Sequence, residues 1–447
     1  MKNQTKKLRN GIVLLIVCVT FISVYTLKKS TKTCHTHALE TTKAMPFQSK
    51  GCVFNTLFGA TELDENFSIE TTAEVRNSLT SGLEWIKTAQ HKNGGWGAGS
   101  HAHQNVIDPH AVSVDPATTA MVAMALLRCN NSLTKGAYHN ELSKATNYLL
   151  ETIEGLSEGD VYITNEQNTQ IQRKLGKHID AVLTAQYLSN LSAKLDDNDK
   201  MKKRVNNAIE KCVKRIQNAQ NLDGSLSGEG WAGVLQSAYA NNAVESAKSI
   251  GVSIDEDRFK RSKNYQKQNI NTSTGDVKTE KGAGVMLYAV SGSTRASAKD
   301  ARKAKEVIEE AKKEGILQED AEVNADNLRK AGVAEAEVLK YGTAYDVYQS
   351  ANKMATRSDV LKGYGNNGGE EFLSFLQTGE SMVINKDENW QDWYANTSGN
   401  LLQIQNDNGS WNGHHCITSP VFCTATCLLI LSITNDLEAL VRLGDDS

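Results

Sequence analysis

A chain of 447 residues is long enough for one large domain or two ordinary ones. With 39% apolar but only 6% aromatic residues, the core must rest on Leu, Ile, Val and Ala, and a count of 4 prolines suits helices. A net charge of -3 argues against the basic surface that a nucleic-acid-binding protein carries.

The first segment reads as separate from the fold. Lys2, Lys6, Lys7 and Arg9 form a basic flank over residues 1–10, followed by an uncharged run from Gly11 to Leu27. That run is at the short limit for crossing a bilayer, where about 20 residues are typical. No small-x-small cleavage site follows it, and Val17 before Cys18 does not suit lipidation. We read residues 11–27 as an uncleaved transmembrane anchor, with the N-terminus inside and the bulk of the chain outside the cytoplasm. A cleaved signal peptide is the alternative and leaves the bulk on the same side. Residues 28–67 read as a polar tether, in which Cys34 and Cys52 can pair in an oxidising compartment.

The fold is expected over residues 68–435. Leu79, Leu83 and Ile86 are spaced as on a helix, which the Asn93-Gly94-Gly95 turn closes. After a loop rich in His and Asp, Pro116 begins a helix of small and aliphatic residues to Arg128. Helices are expected over 142–156, 178–195, 201–220 and 231–250, with a diverged pair at 262–290. A charged helical insertion is expected about residues 296–341. Further helices run to Leu376, the last pair occupies 390–405 and 420–434, and 436–447 reads as a tail. No segment alternates as a strand does.

One pattern recurs: an aliphatic residue, three spacers, Gln, three spacers, Gly, one spacer, Trp. It occurs at Ile86, Gln90, Gly94 and Trp96, and again at Leu401, Gln405, Gly409 and Trp411. A third copy, Ile216, Gln220 and Gly224, has Leu226 in place of Trp. Such repeats predict stacked helical hairpins, in a solenoid or a closed ring.

These copies, each followed by a helix of Thr, Ala and Leu, resemble the repeats of the squalene–hopene cyclase and protein prenyltransferase superfamily. The resemblance implies an all-α fold, an α/α toroid of inner and outer helices, with Gln and Trp fixing the corners between repeats. The activities do not transfer residue by residue. The cyclase acid motif Asp-x-Asp-Asp has no counterpart. The nearest string, Asp196-Asp197-Asn198-Asp199, reads as a turn between helices. The chain is poor in the aromatics that stabilise carbocations. Cys423 falls near the place of the transferase zinc-binding His, and no Asp-x-Cys accompanies it.

Two clusters follow the repeat corners. His101, His103, Asp108, His110 and Asp115 lie after Trp96, and suit acid–base chemistry or a metal; a polar loop at a ring mouth accounts for them equally well. His414, His415 and Cys416 lie after Trp411, with Cys423 and Cys427 beyond, and His with Cys suits zinc. His178 and Asp180 at a helix start form a third candidate, set against a capping role. Glu370 and Glu371 read as first-turn carboxylates. Two functions are carried forward. One is an enzyme on an isoprenoid-like or amphiphilic substrate in a central cavity. The other is a non-catalytic toroid module outside the cytoplasm that binds a small molecule, peptide, glycan or partner protein, with Trp390 and Trp393 exposed.

Overall fold

The computed structural model describes residues 67–363 and 368–445. The expected flank, anchor and tether therefore lie almost entirely outside the described residues. Helices are numbered α1 Ala73–Thr88, α2 Pro116–Arg128, α3 His139–Glu154, α4 Gln170–Lys174, α5 Ile179–Ser192, α6 Lys200–Asn218, α7 Gly233–Ser249 and α8 Glu256–Lys267. There follow α9 Met286–Lys313, α10 Ala325–Lys330, α11 Glu335–Ala355, α12 Ser358–Leu361, α13 Gly369–Asn385, α14 Trp390–Gln403, α15 Pro420–Leu431 and α16 Leu437–Gly444. Among the described residues there are isolated β-bridges and no strands.

Two kinds of helix alternate. In α6, Val205, Ile209, Cys212, Val213 and Ile216 are buried on one face while its lysines face water. In α2, α5, α7 and α15 nearly every residue is buried, as expected of a helix covered on all sides. The second kind closes a cycle: α2 packs on α5, α5 on α7, α7 on α9, α9 on α13, α13 on α15, and α15 on α2. The first kind (α1, α3, α6, α8, α11 and α14) packs outside that cycle. The described fold is thus an all-α ring of six hairpins, an α/α toroid.

The repeat motif is the joint of this ring. Gln90 Nε2 donates to Gly94 O of its own turn at 2.8 Å and to Glu141 O of the next outer helix at 2.9 Å. Gln220 reaches Arg258 O at 2.8 Å, and Gln405 reaches Gly409 O at 2.8 Å and Ser78 O of α1 at 3.1 Å. The last joint therefore fastens the sixth hairpin to the first. Trp96 and Trp411 are fully buried and donate from Nε1 to Ile86 O and Leu401 O at 3.0 and 2.9 Å. Gly94, Gly224 and Gly409 share φ values of 90, 93 and 89°. A Cβ on them would lie 2.7, 2.2 and 2.5 Å from backbone oxygens of the next outer helix. The site therefore needs glycine twice over, for its φ and for the close approach.

Two boundaries differ from expectation. The charged segment from 296 does not start a separate unit, because α9 runs unbroken from 286 to 313 and buries Ala296, Ser297, Ala298, Asp300, Ala301 and Arg302. Its charges are satisfied inside: Asp300 meets Lys263, Lys267 and Lys340 at 3.3, 3.1 and 3.3 Å. The expected tail includes α16, which packs on α13 and α9 and is held by Arg302 through Val441 O at 2.7 Å and Asp445 at 2.7 Å. Among the described residues no single helix is long and apolar enough to cross a membrane; α15 with the segment 433–444 passes only as a pair bent by 60°.

Candidate catalytic centre at the N-terminal mouth of the ring

The inner helices present their N-termini to one mouth, and backbone N–H groups there favour negative charge. Asp115 caps α2, accepting from Thr118 N at 2.7 Å and Ala98 N at 2.8 Å. Glu371 accepts from Gly368 N at 2.9 Å at the start of α13. Because α13 is buried nearly all round, its first-turn acids Glu370 and Glu371 are buried with it, at 0% and 1% exposure.

The segment 413–419 is held against that helix start. Gly369 N donates to Ile417 O at 3.0 Å. Gln170 Oε1 accepts from Thr418 N at 2.7 Å and Ser419 N at 3.1 Å, while Thr418 Oγ1 donates to Gln104 O at 2.7 Å. Cys416 sits at φ 53°, a left-handed conformation that a side chain disfavours.

These constraints bring five side chains around Glu370. The Lys174 ammonium, 1% exposed at the end of α4, lies 3.0 Å from Glu370 Oε1 and 3.5 Å from Cys416 Sγ. His415 places Nδ1 3.4 Å from Glu370 Oε1 and Nε2 3.8 Å from Glu371 Oε1. Tyr288 donates its hydroxyl to Glu371 Oε1 at 2.9 Å, and Lys174 stands 5.3 Å from the centre of its ring. Glu370 is within ion-pair reach of Lys174 and His415, yet neither of its oxygens has a well-aligned hydrogen bond among the described residues. Ligand atoms of Glu370, His415 and Cys416 all lie within 4.8 Å of one another. A thiol sulfur, an imidazole nitrogen and a carboxylate oxygen are a donor set that zinc accepts.

The electrostatics follow from burial and neighbours. Burial opposes the charged form of Lys174, but Glu370, Cys416 and Glu371 hold its pKa above the ordinary lysine value. Burial, then the charges of Glu371 and Glu370, push the Tyr288 hydroxyl far up, so it stays protonated. Burial and Glu370 also raise the Cys416 thiol.

The expected residues divide. His415 and Cys416 belong to the centre, whereas His414 is exposed and does not join it. His101 lies near the same mouth, edge-on to Trp231 with ring centroids 5.1 Å apart, and is lowered by burial, then by Arg173 and Lys174. His103 is exposed. Asp108 caps a short turn through His110 N at 3.0 Å, and His110 Nε2 lies 2.9 Å from Thr88 O on the outer helix. Asp180 is an architectural acid like Asp115, accepting from Ala117 N at 3.1 Å and Gln172 Nε2 at 2.8 Å. Burial, opposed by the hydrogen bonds from Thr118 and Ala98, raises Asp115 to about 6; burial and the Asp115 charge raise Asp180 to about 7. His178 is buried at the start of α5 and lowered to about 4 by burial, then Lys177. These positions therefore do not form one shared histidine site. Trp390 and Trp393 are 0% and 7% exposed, so the groove expected of a binding module is not built from them.

No protein-family description matches the sequence, and no curated protein does. Among solved structures, the chain is similar to the type II terpene cyclase MstE from Scytonema, at 14% identity and a TM-score of 0.43, covering 81% of this chain and 98% of that one.

Proposed function

We propose that the ring is a zinc-dependent enzyme that works at its N-terminal mouth, with Glu370, His415 and Cys416 as the metal-holding residues. The convergence of these three donors within 4.8 Å carries the reading. Zinc in such a site supplies a water acidic enough to be a nucleophile near neutral pH. The chain's own groups fit that chemistry. Glu371, hydrogen-bonded by Tyr288, accepts a proton from the attacking water. Glu371 then gives that proton to the leaving group, while Tyr288, held protonated, keeps its hydrogen bond to the carboxylate. Lys174 offsets the negative charge of the carboxylates and stabilises an oxyanion. The reaction class is hydrolysis of, or water addition to, an electrophilic carbon.

Carbocation chemistry on an isoprenoid-like substrate is less well supported, since among the described residues Tyr239 is the one aromatic side chain on the wall of the 780 Å³ cavity inside the ring. With residues 11–27 as a membrane anchor, the ring lies beside a lipid surface, and an amphiphilic substrate suits that placement. Elemental analysis of the purified protein tests the reading. About one zinc per chain is expected, lost on Cys416→Ser and His415→Ala but kept on His414→Ala. A wild-type protein that holds no metal even after incubation with zinc would refute it.

A further inference from the structure

Where the outer helices α8 and α11 flank the inner helix α9, three ammonium groups share one carboxylate. Lys263 and Lys267 lie 3.3 and 3.1 Å from Asp300 Oδ2, and Lys340 lies 3.3 Å from Asp300 Oδ1. Glu245 is the one further carboxylate in reach, 4.0 Å from Lys263, and Arg295 already holds it at 2.7 Å. Among the described residues no other acid pairs with these three lysines. Four positive charges therefore face two negative ones.

Most of that charge is out of water. Side-chain exposure falls to 14% at Lys263, 10% at Lys267 and 6% at Asp300, whereas Lys340, at 50%, opens the cluster to solvent. The rings of Phe259 and Tyr341 lie 5.7 and 4.9 Å from the Lys263 and Lys340 ammoniums, and help to hold them without supplying negative charge. Burial, opposed by Asp300 and reinforced by Lys263 and Lys340, keeps Lys267 below the ordinary lysine value. Unbalanced charge in a dry site is costly, and a dianion of matching charge removes the cost. Each ammonium has three donors, and one carboxylate cannot take them all.

We propose that this cluster binds a dianionic phosphoryl group, as free phosphate or as the phosphate of a small monoester, which enters past Lys340. Such a group carries a charge of about −1.5 to −2 at neutral pH, close to the surplus in the cluster. Lysine binds phosphate as a point charge, so the site needs no arginine fork. Lys263, Lys267, Asp300 and Lys340 do not line the 780 Å³ cavity inside the ring. None of the three Gln joints ties α8 to α11, and the anion fastens these outer helices through α9 instead. The site shares no residue with the Glu370 centre and does not depend on the reading above.

The test is isothermal titration calorimetry of the full chain at fixed ionic strength, with inorganic phosphate and, separately, glycerol 3-phosphate. One saturable site per chain is expected, with a Kd below about 1 mM. Dimethyl phosphate, a monoanion, and nitrate should each bind at least about tenfold more weakly. Lys340→Met weakens phosphate binding at least about tenfold, as does Lys263→Met; if circular dichroism shows Lys263→Met unfolded, the half-exposed Lys340 decides alone. Asp300→Asn removes the competing carboxylate and tightens phosphate binding, which a purely structural ion network would not do. Lys353→Met, at the far end of α11, and Cys416→Ser leave the affinity unchanged. Tighter binding of the ester assigns the site to a phosphorylated small molecule and equal binding to the free ion; either supports the proposal. No saturable phosphate binding, equal binding of dimethyl phosphate, an unchanged affinity in Lys340→Met, or weaker binding in Asp300→Asn would overturn it.

Discussion

Replacing Gly409 by Ala tests the joint that closes the ring. Its φ of 89° lies where an L-residue loses about 1–2 kcal/mol. Its Cβ would also stand 2.5 Å from Ser81 O, 2.7 Å from Ser81 C and 2.9 Å from Ser81 Cβ, all on the first outer helix. Backbone cannot yield as a flexible side chain does, and overpacking of this kind costs roughly 1–3 kcal/mol. The two effects together give a loss of about 2–5 kcal/mol. Gly251 is the control: its φ is 87°, and a Cβ there meets nothing within 4 Å. Gly251→Ala therefore carries the conformational cost alone, about 1–2 kcal/mol. Urea unfolding followed by circular dichroism measures both, and Gly94→Ala and Gly224→Ala should behave as Gly409→Ala does. If Gly409→Ala and Gly251→Ala lose the same stability, close approach is not what the joint requires, and the reasoning fails.

Other tests concern buried charge. Arg128→Met strands Glu380 and leaves Asp436 only its pairing with Lys194, and the loss expected is about 3–5 kcal/mol in the same assay, far above that of an exposed pair such as Arg357–Asp359. Asp180 and Asp115 have folded-state pKa values raised to about 7 and about 6, so protonation favours the fold; the stability they contribute is present below about pH 4 and is lost as pH rises toward 7. Thermal unfolding across that window should show a falling contribution in wild type and a flatter one in Asp180→Asn. Asp300 behaves in the opposite sense. Burial would raise it, but Lys263, Lys267 and Lys340 hold it at about 2, so its contribution is present above about pH 4 and is lost as pH falls toward 2. Asp300→Asn should abolish that acid-limb loss in a pH series of unfolding midpoints.

The joints were the legible part of the sequence because they need particular residues at a fixed spacing: a Gln to reach the next helix, a Gly with positive φ and a buried Trp. The stretch between α8 and α13 has no such joint. There α9 spans 28 residues and carries its own buried ion pairs, so charge along the sequence suggested a surface insertion where the fold places core. The centre was half legible. His415 and Cys416 stood out as zinc-type donors beside a corner. Glu370 and Glu371 looked like ordinary helix-start acids, a reading that holds for a helix with one wet face. The signal against it was the run from Phe372 to Met382, in which only Gln377 and Glu380 are neither apolar nor small, so that first-turn acids have little water to face. Lys174, in a helix of five residues, and Tyr288, in the first turn of α9, carry no spacing that points to the centre, since loops distant in sequence bring them there. His110, Asp115 and Asp180 had the right chemistry in the wrong places, as caps and corner ties.

The hydrogen bond from Gln405 to Ser78 O has a consequence for how the chain matures during synthesis. Chains fold from the N-terminus as they emerge. Until the sixth hairpin is made, α1 has no partner at this edge and α2 has none in α15, so the growing protein is an open arc with two apolar edges. The fastening that turns the arc into a ring is translated after the first five hairpins. A ribosome-bound chain ending before Gln405 should therefore remain open to proteases along α1, and one extending past α15 should become resistant there in a single step.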